Sequence, residues 1–193
     1  MTDLRRAARA AKPHPQTVRV PTLSFLRWIA LALTAGAVAI SGVYLWQMGR
    51  AYDRIAGQSQ VIDMGDERIE YVQGGSGTPV LVVHGSGGGF DQGALIASAV
   101  IGDGFRWIAP SRYGYLRSTL PSGATFETQA DAYARLLDHL GIRQTAVVAL
   151  SQGGPSALFF ALKYPERVQS LVLLSCGVAS STDAQQAEAN RSG

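Results

Sequence analysis

Residues 145–163 read Thr-Ala-Val-Val-Ala-Leu, then Ser-Gln-Gly-Gly, then a helical run from about Pro155 to Lys163. An apolar strand that passes into a helix across so few residues requires a tight turn, with the helix folded back against its own strand. Such a turn forces the residue at its apex, Ser151, into a strained backbone conformation and lifts its hydroxyl out of the sheet. It also brings together the residues two before and two after the serine. Both must be small, and Ala149 and Gly153 are. The helix that follows aims its first amides and its positive dipole end at the serine oxygen, which favours negative charge developing there. Pro155 suits a first helical turn, where its missing N–H has no partner to lose. Ser151 is therefore a candidate nucleophile.

The same alternation of strand and helix runs through the preceding residues. Val61–Met64 and Arg68–Val72 read as short strands joined by a Gly-Asp turn, an opening hairpin. Val80–Val83 is an all-apolar strand of the kind buried on both faces. Phe105–Ala109 reads as the next strand. Residues 126–140 place Phe126, Ala130, Tyr133, Ala134, Leu137 and Leu140 on one helical face, with Gly141 as the stop. Thr145–Leu150 and Val168–Leu174 complete the strands. Alternation of this kind predicts an α/β fold: a mainly parallel, doubly wound sheet covered by helices on both faces. Residues 177–193 are small and polar, a tail without a secondary-structure signal.

Trp28–Met48 holds no ionisable acid or base and is long enough to cross a hydrocarbon layer of about 30 Å as a helix. Trp28 at one end and Tyr44 and Trp46 at the other suit the two interfaces. Residues 1–27 carry Arg5, Arg6, Arg9, Lys12, Arg19 and Arg27 against Asp3, whereas the remainder is net acidic. The positive-inside bias therefore predicts a cytoplasmic basic arm (1–27), a single-pass transmembrane helix (28–48), a polar linker (49–60) and a domain on the extracytoplasmic side of the cell membrane. A cleaved signal peptide is the alternative, since Ala37-Val38-Ala39 resembles a cleavage site. The apolar run continues past it, longer than a usual signal core, and favours an uncleaved anchor. With its basic residues confined to the arm, the domain offers no nucleic-acid footprint. One cysteine, Cys176, excludes an intrachain disulfide, and no Cys/His cluster has metal spacing, so neither metal nor cofactor is signalled. Cys176 reads as a small buried residue near a strand end.

By itself a small-x-Ser-x-small match is weak. A second motif adds weight: His84-Gly85-Ser86-Gly87-Gly88-Gly89-Phe90, directly after the strand Val80–Val83. Acyl transfer needs two N–H groups aimed at one point, to hold the oxyanion of a tetrahedral intermediate. Gln152, after the serine, would supply one; Ser86 or Gly87 would supply the other. Glycines let that backbone approach a substrate closely. A nucleotide-binding loop fails on spacing, because Phe90 stands where a third glycine is needed and no Gly-Lys-Ser/Thr follows.

At these residues the chain resembles the α/β-hydrolase superfamily, from residue 61 to about 176. The resemblance includes Phe90-Asp91-Gln92-Gly93, Lys163-Tyr164-Pro165-Glu166-Arg167-Val168, and Ala109-Pro110-Ser111-Arg112-Tyr113-Gly114-Tyr115, where the family usually has Asp in place of Ser111. It implies an α/β-hydrolase fold, Ser151 as nucleophile, His84 and Gly85 as supports of the oxyanion loop, Ala149 and Gly153 as the small residues of the turn, and no cofactor. Arg112 is expected to tie the loop after the fourth strand to its neighbours.

The resemblance also implies an acid and a histidine late in the chain. The expectation here is a partial domain (61–176), truncated after about strand six. His14, His84 and His139 all precede Ser151, His139 reads as solvent-facing, and Asp183 is the candidate acid beyond the sixth strand. Without a base a serine hydroxyl is a poor nucleophile. Two readings follow. One is a membrane-anchored serine hydrolase acting on a small-molecule ester or amide. The other is a non-catalytic α/β module, or a gene remnant, that binds a ligand or partner. In either, Val168–Leu174 is expected at a sheet edge, open to pairing with a second chain.

Overall fold

The computed structural model describes residues 23–177. The arm up to residue 22, with His14, and the tail beyond 177, with Asp183, lie outside the described residues. The chain separates into two compact units, Met1–Tyr52 and Asp53–Gly193.

Helix α1 spans Leu23–Ile55, and none of its residues is buried. It is longer than the 28–48 segment expected: the linker is helical as far as Ile55, with no proline between Gln47 and Ile55, and Gly57 follows the helix end. Inside the apolar stretch the Thr34 hydroxyl donates to the Ala30 carbonyl, 2.8 Å away, so the polar group is satisfied within the helix. The Arg50 guanidinium lies over the Trp46 ring.

Among the described residues of the second unit, the strands are β1 (Gln60–Asp63), β2 (Arg68–Gly75), β3 (Thr78–Val83), β4 (Phe105–Pro110), β5 (Thr145–Leu150) and β6 (Val168–Leu174). They form one sheet in the order β1-β2-β4-β3-β5-β6. The β1–β2 and β2–β4 pairs are antiparallel, and β4–β3, β3–β5 and β5–β6 are parallel. The sheet is thus mixed rather than mainly parallel. The opening hairpin, with Gly65 in the left-handed region at its turn, is long enough for β2 to pair with β4 as well.

Helices cover both faces. On one, α3 (Phe126–His139) and α4 (Gly154–Lys163) pack Tyr133, Leu136, Leu137 and Phe160 against Leu81, Ile108 and Val147. On the other, α2 (Phe90–Val100) packs Ile96 and Ala97 against Val80, Val82, Ala109 and Val148. The alternation of these strand residues between two clusters is the period-two signature of strands buried on both faces. Helix α2 was not legible as a helix, since Gly93 interrupts it. Gly93 is there for packing: a Cβ would lie 2.7 Å from the Ala109 Cβ. Its N-terminus lacks a side-chain cap of its own.

Candidate active site

The parallel strands β3, β4, β5 and β6 all end at the same edge of the sheet, so the segments that follow them gather there. This is where ligands bind in open α/β sheets. Val83 pairs with Ala149, so the next residues, His84-Gly85 and Leu150-Ser151, leave the sheet side by side.

Ser151 directly follows β5 and opens a single 3-10 turn, Ser151–Gly153, that leads into α4. Its φ is +49°, in the left-handed region that non-glycine residues rarely adopt. That is the strained apex inferred from the sequence, and strain at a non-glycine residue is characteristic of functional sites. The flanking residues are small for visible reasons. Ala149 is fully buried. A Cβ on Gly153 would come within 2.6 Å of the His84 carbonyl oxygen and 2.8 Å of that of Val83. Gly85 is pressed against the turn, where a Cβ would lie 3.2 Å from that of Ser151. Ser86 and Gly87, next along the loop, are exposed, as is Gln152 on the other side of the serine. The structure therefore brings the two sequence motifs into contact.

His84 is fully buried and is committed on both ring nitrogens. The Arg112 backbone N–H donates to Nε2 at 2.8 Å, so the ring proton resides on Nδ1, which donates to the Gly85 carbonyl at 2.7 Å. Burial, reinforced by the Arg112 guanidinium, lowers its pKa to about 4. A neutral imidazole with its lone pair occupied cannot take a proton from Ser151, so His84 braces the loop. His139 is exposed in the last turn of α3, which leads into the start of β5. It therefore lies near the opposite end of a six-residue strand from Ser151, about 20 Å away by strand rise.

Arg112 does what the sequence suggested. Its Nη1 donates to the Gln152 carbonyl at 2.9 Å and its Nη2 to that of Gly85 at 3.0 Å. One guanidinium thus ties the segments after β3, β4 and β5 together. Its charge lies over the Tyr115 ring, which in turn meets His84 edge-on at 4.7 Å. Gln92, on α2, is a residue whose role the sequence did not disclose: its Oε1 accepts the Gly85 N–H at 2.8 Å. The only signal for it was its place in the Phe-Asp-Gln-Gly run. Cys176 is half-buried rather than buried; its thiol donates to the Ala149 carbonyl at 3.3 Å, and burial raises its pKa. Among the described residues, no group of three His, Cys, Asp or Glu side chains is placed to hold a metal ion.

Comparison with known proteins agrees with this geometry. The chain is 42% identical to an uncharacterised hydrolase of Bacillus subtilis over 107 residues, 55% of this chain and 37% of that protein. It is 34% identical to a haloalkane dehalogenase of Mycobacterium tuberculosis over 122 residues, 60% of this chain and 41% of the other. A solved α/β-hydrolase fold protein from Nakamurella multipartita superposes with a TM-score of 0.58 at 40% identity, covering 61% of this chain and 41% of that one. The chain thus spans about two fifths of the length of these relatives. The family described as alpha/beta hydrolase fold matches residues 78–191, which include both the loop after β3 and the turn at Ser151. Sheet order, strained serine and matched residues agree: the chain belongs to the α/β-hydrolase fold family.

Proposed function

We propose that this chain carries the nucleophile half of a membrane-tethered serine hydrolase for small-molecule esters or amides. The observation that carries the reading is Ser151 at φ +49° on the strand-to-helix turn, with the glycine loop after β3 against it. In this reading Ser151 Oγ attacks the acyl carbonyl and its proton passes to a base. The oxyanion is held by the N–H of Gln152 and that of Ser86 or Gly87. Collapse expels the alcohol or amine with that proton, and water then releases the acyl group. His84, Gly85, Ala149 and Gly153 shape the turn and take no part in proton transfer. In this reading the base comes from a longer form of this polypeptide or from a second chain pairing at β6. The names of the relatives, a hydrolase and a dehalogenase, leave the bond that is cleaved to experiment.

A fluorophosphonate probe tests this directly. With that base supplied, the protein is expected to label and Ser151→Ala to remain unlabelled. Folded wild-type protein that never labels at Ser151 would favour the second reading, a non-catalytic module. That reading draws on the described histidines alone, one committed to structure and one remote. The tether is α1, whose apolar stretch has a mean hydropathy of 1.8 and no buried residue. With the basic arm cytoplasmic, the domain would face the extracytoplasmic side.

A further inference from the structure

We infer that Glu70, on β2, is a positioning residue that holds the loop after β3 in place through the Ser111 hydroxyl. The inference rests on the reading of that loop as an oxyanion hole.

Glu70 is 2% exposed. A carboxylate so placed must be fully hydrogen-bonded, because burying one without partners is prohibitively costly. Among the described residues, four donors reach it. Ser59 Oγ and Arg117 Nε donate to Oε1 at 2.6 and 2.7 Å; the Arg117 backbone N–H and Ser111 Oγ donate to Oε2 at 3.0 and 3.2 Å. A hydroxyl has one proton. With that proton directed at Glu70, the Ser111 oxygen presents a lone pair to the backbone N–H of Phe90, 2.9 Å away.

Phe90 is the first residue of α2, and the residue before it, Gly89, has no side chain with which to cap the helix. Ser111, at the end of β4, supplies that cap from outside. Two residues further on, Gln92 of the same helix accepts the Gly85 N–H. The loop is thereby gripped at both ends: at Gly85 by Gln92, and at Phe90 by Ser111 under the direction of Glu70. Gly89 fits between because a Cβ there would lie 2.7 Å from Ser111 Oγ and 2.6 Å from Leu116 Cδ1. If position 70 could donate as well as accept, the serine proton would lose its fixed acceptor, and α2 would lose its cap. Ser59, four residues beyond the end of α1, completes the carboxylate's partners.

The test is amide hydrogen exchange, read by mass spectrometry, on the full chain in detergent micelles. Glu70→Gln is expected to speed exchange in residues 85–92 about tenfold, with residues 126–139 and 145–150 unchanged. Ser111→Ala, which leaves Glu70 its other donors, should give the same local acceleration. Glu70→Gln combined with Ser111→Asp should restore the wild-type rate, since an aspartate at 111 can accept the Phe90 N–H without a relay. Unchanged exchange in 85–92, acceleration spread equally over all three segments, or absence of rescue would each overturn the inference. None of these readouts needs turnover, so a chain that fails to label at Ser151 leaves this test intact.

Discussion

At the scale of single residues, His84 shows how a site motif can serve structure. It stands at the mouth of the site, yet both nitrogens are spent on backbone partners and burial holds its pKa near 4. This has a measurable consequence. In the unfolded chain His84 titrates near 6.5, whereas in the folded protein it stays neutral down to about 4. Between those values the unfolded state binds more protons, so stability falls as pH drops from 6.5 toward 4. The loss from this residue should approach about 3 kcal/mol. Denaturant melts at pH 7 and pH 4 check it: the pH dependence should shrink in His84→Gln, even though that variant is weaker throughout. An equal slope in both proteins would show that other groups dominate.

Helices and strands differ in how completely they satisfy their own ends. Helix α3 is self-contained, since Thr125 and Thr128 exchange side-chain and backbone hydrogen bonds in a capping box at its start. Helix α2 is not, and borrows its cap from β4. Strand β6 is the least complete element. It pairs with β5 on one side and forms an edge of the described sheet. Val172 is 46% exposed, and Phe159 and Leu162 on α4 are exposed as well. Apolar edges of this kind invite pairing with another strand. A lysine there opposes it, so Val172→Lys is expected to reduce self-association of the full chain in detergent micelles, measured by analytical ultracentrifugation. A wild-type chain that already sediments as a single copy would remove β6 as a self-pairing surface.

For the molecule as a whole, α1 and the α/β unit obey different rules. A helix of 33 residues is about 50 Å long, more than the roughly 30 Å a bilayer core requires. Its apolar stretch has no buried residue, whereas the second unit buries its apolar residues on both faces of a sheet. If α1 spans a membrane, the full chain should stay in the pellet after alkaline carbonate extraction. Release into the supernatant would argue against a spanning helix. The α/β unit covers about two fifths of its relatives' length, and a base for Ser151 is sought beyond the described residues for that reason.

The sequence by itself determined whatever depends on neighbours along the chain. The strand-to-helix turn at Ser151, the small residues around it, the hairpin of β1 and β2 and the apolar α1 all follow from local pattern and backbone sterics. Most strand positions followed too, because alternating and all-apolar runs report burial directly. Tertiary structure decided what depends on residues far apart in the chain. Phe90 meets Ser111, Glu70 meets Arg117, and Gly85 receives Arg112 only because β2, β4 and β3 lie side by side. The mixed character of the sheet, the helicity of α2 across Gly93 and the commitment of both His84 nitrogens are of the same kind. Apart from the Nδ1 of His84, which meets the adjacent Gly85, each is settled by a partner some twenty to fifty residues away or by packing across the sheet, and neither leaves a periodicity in the sequence to read.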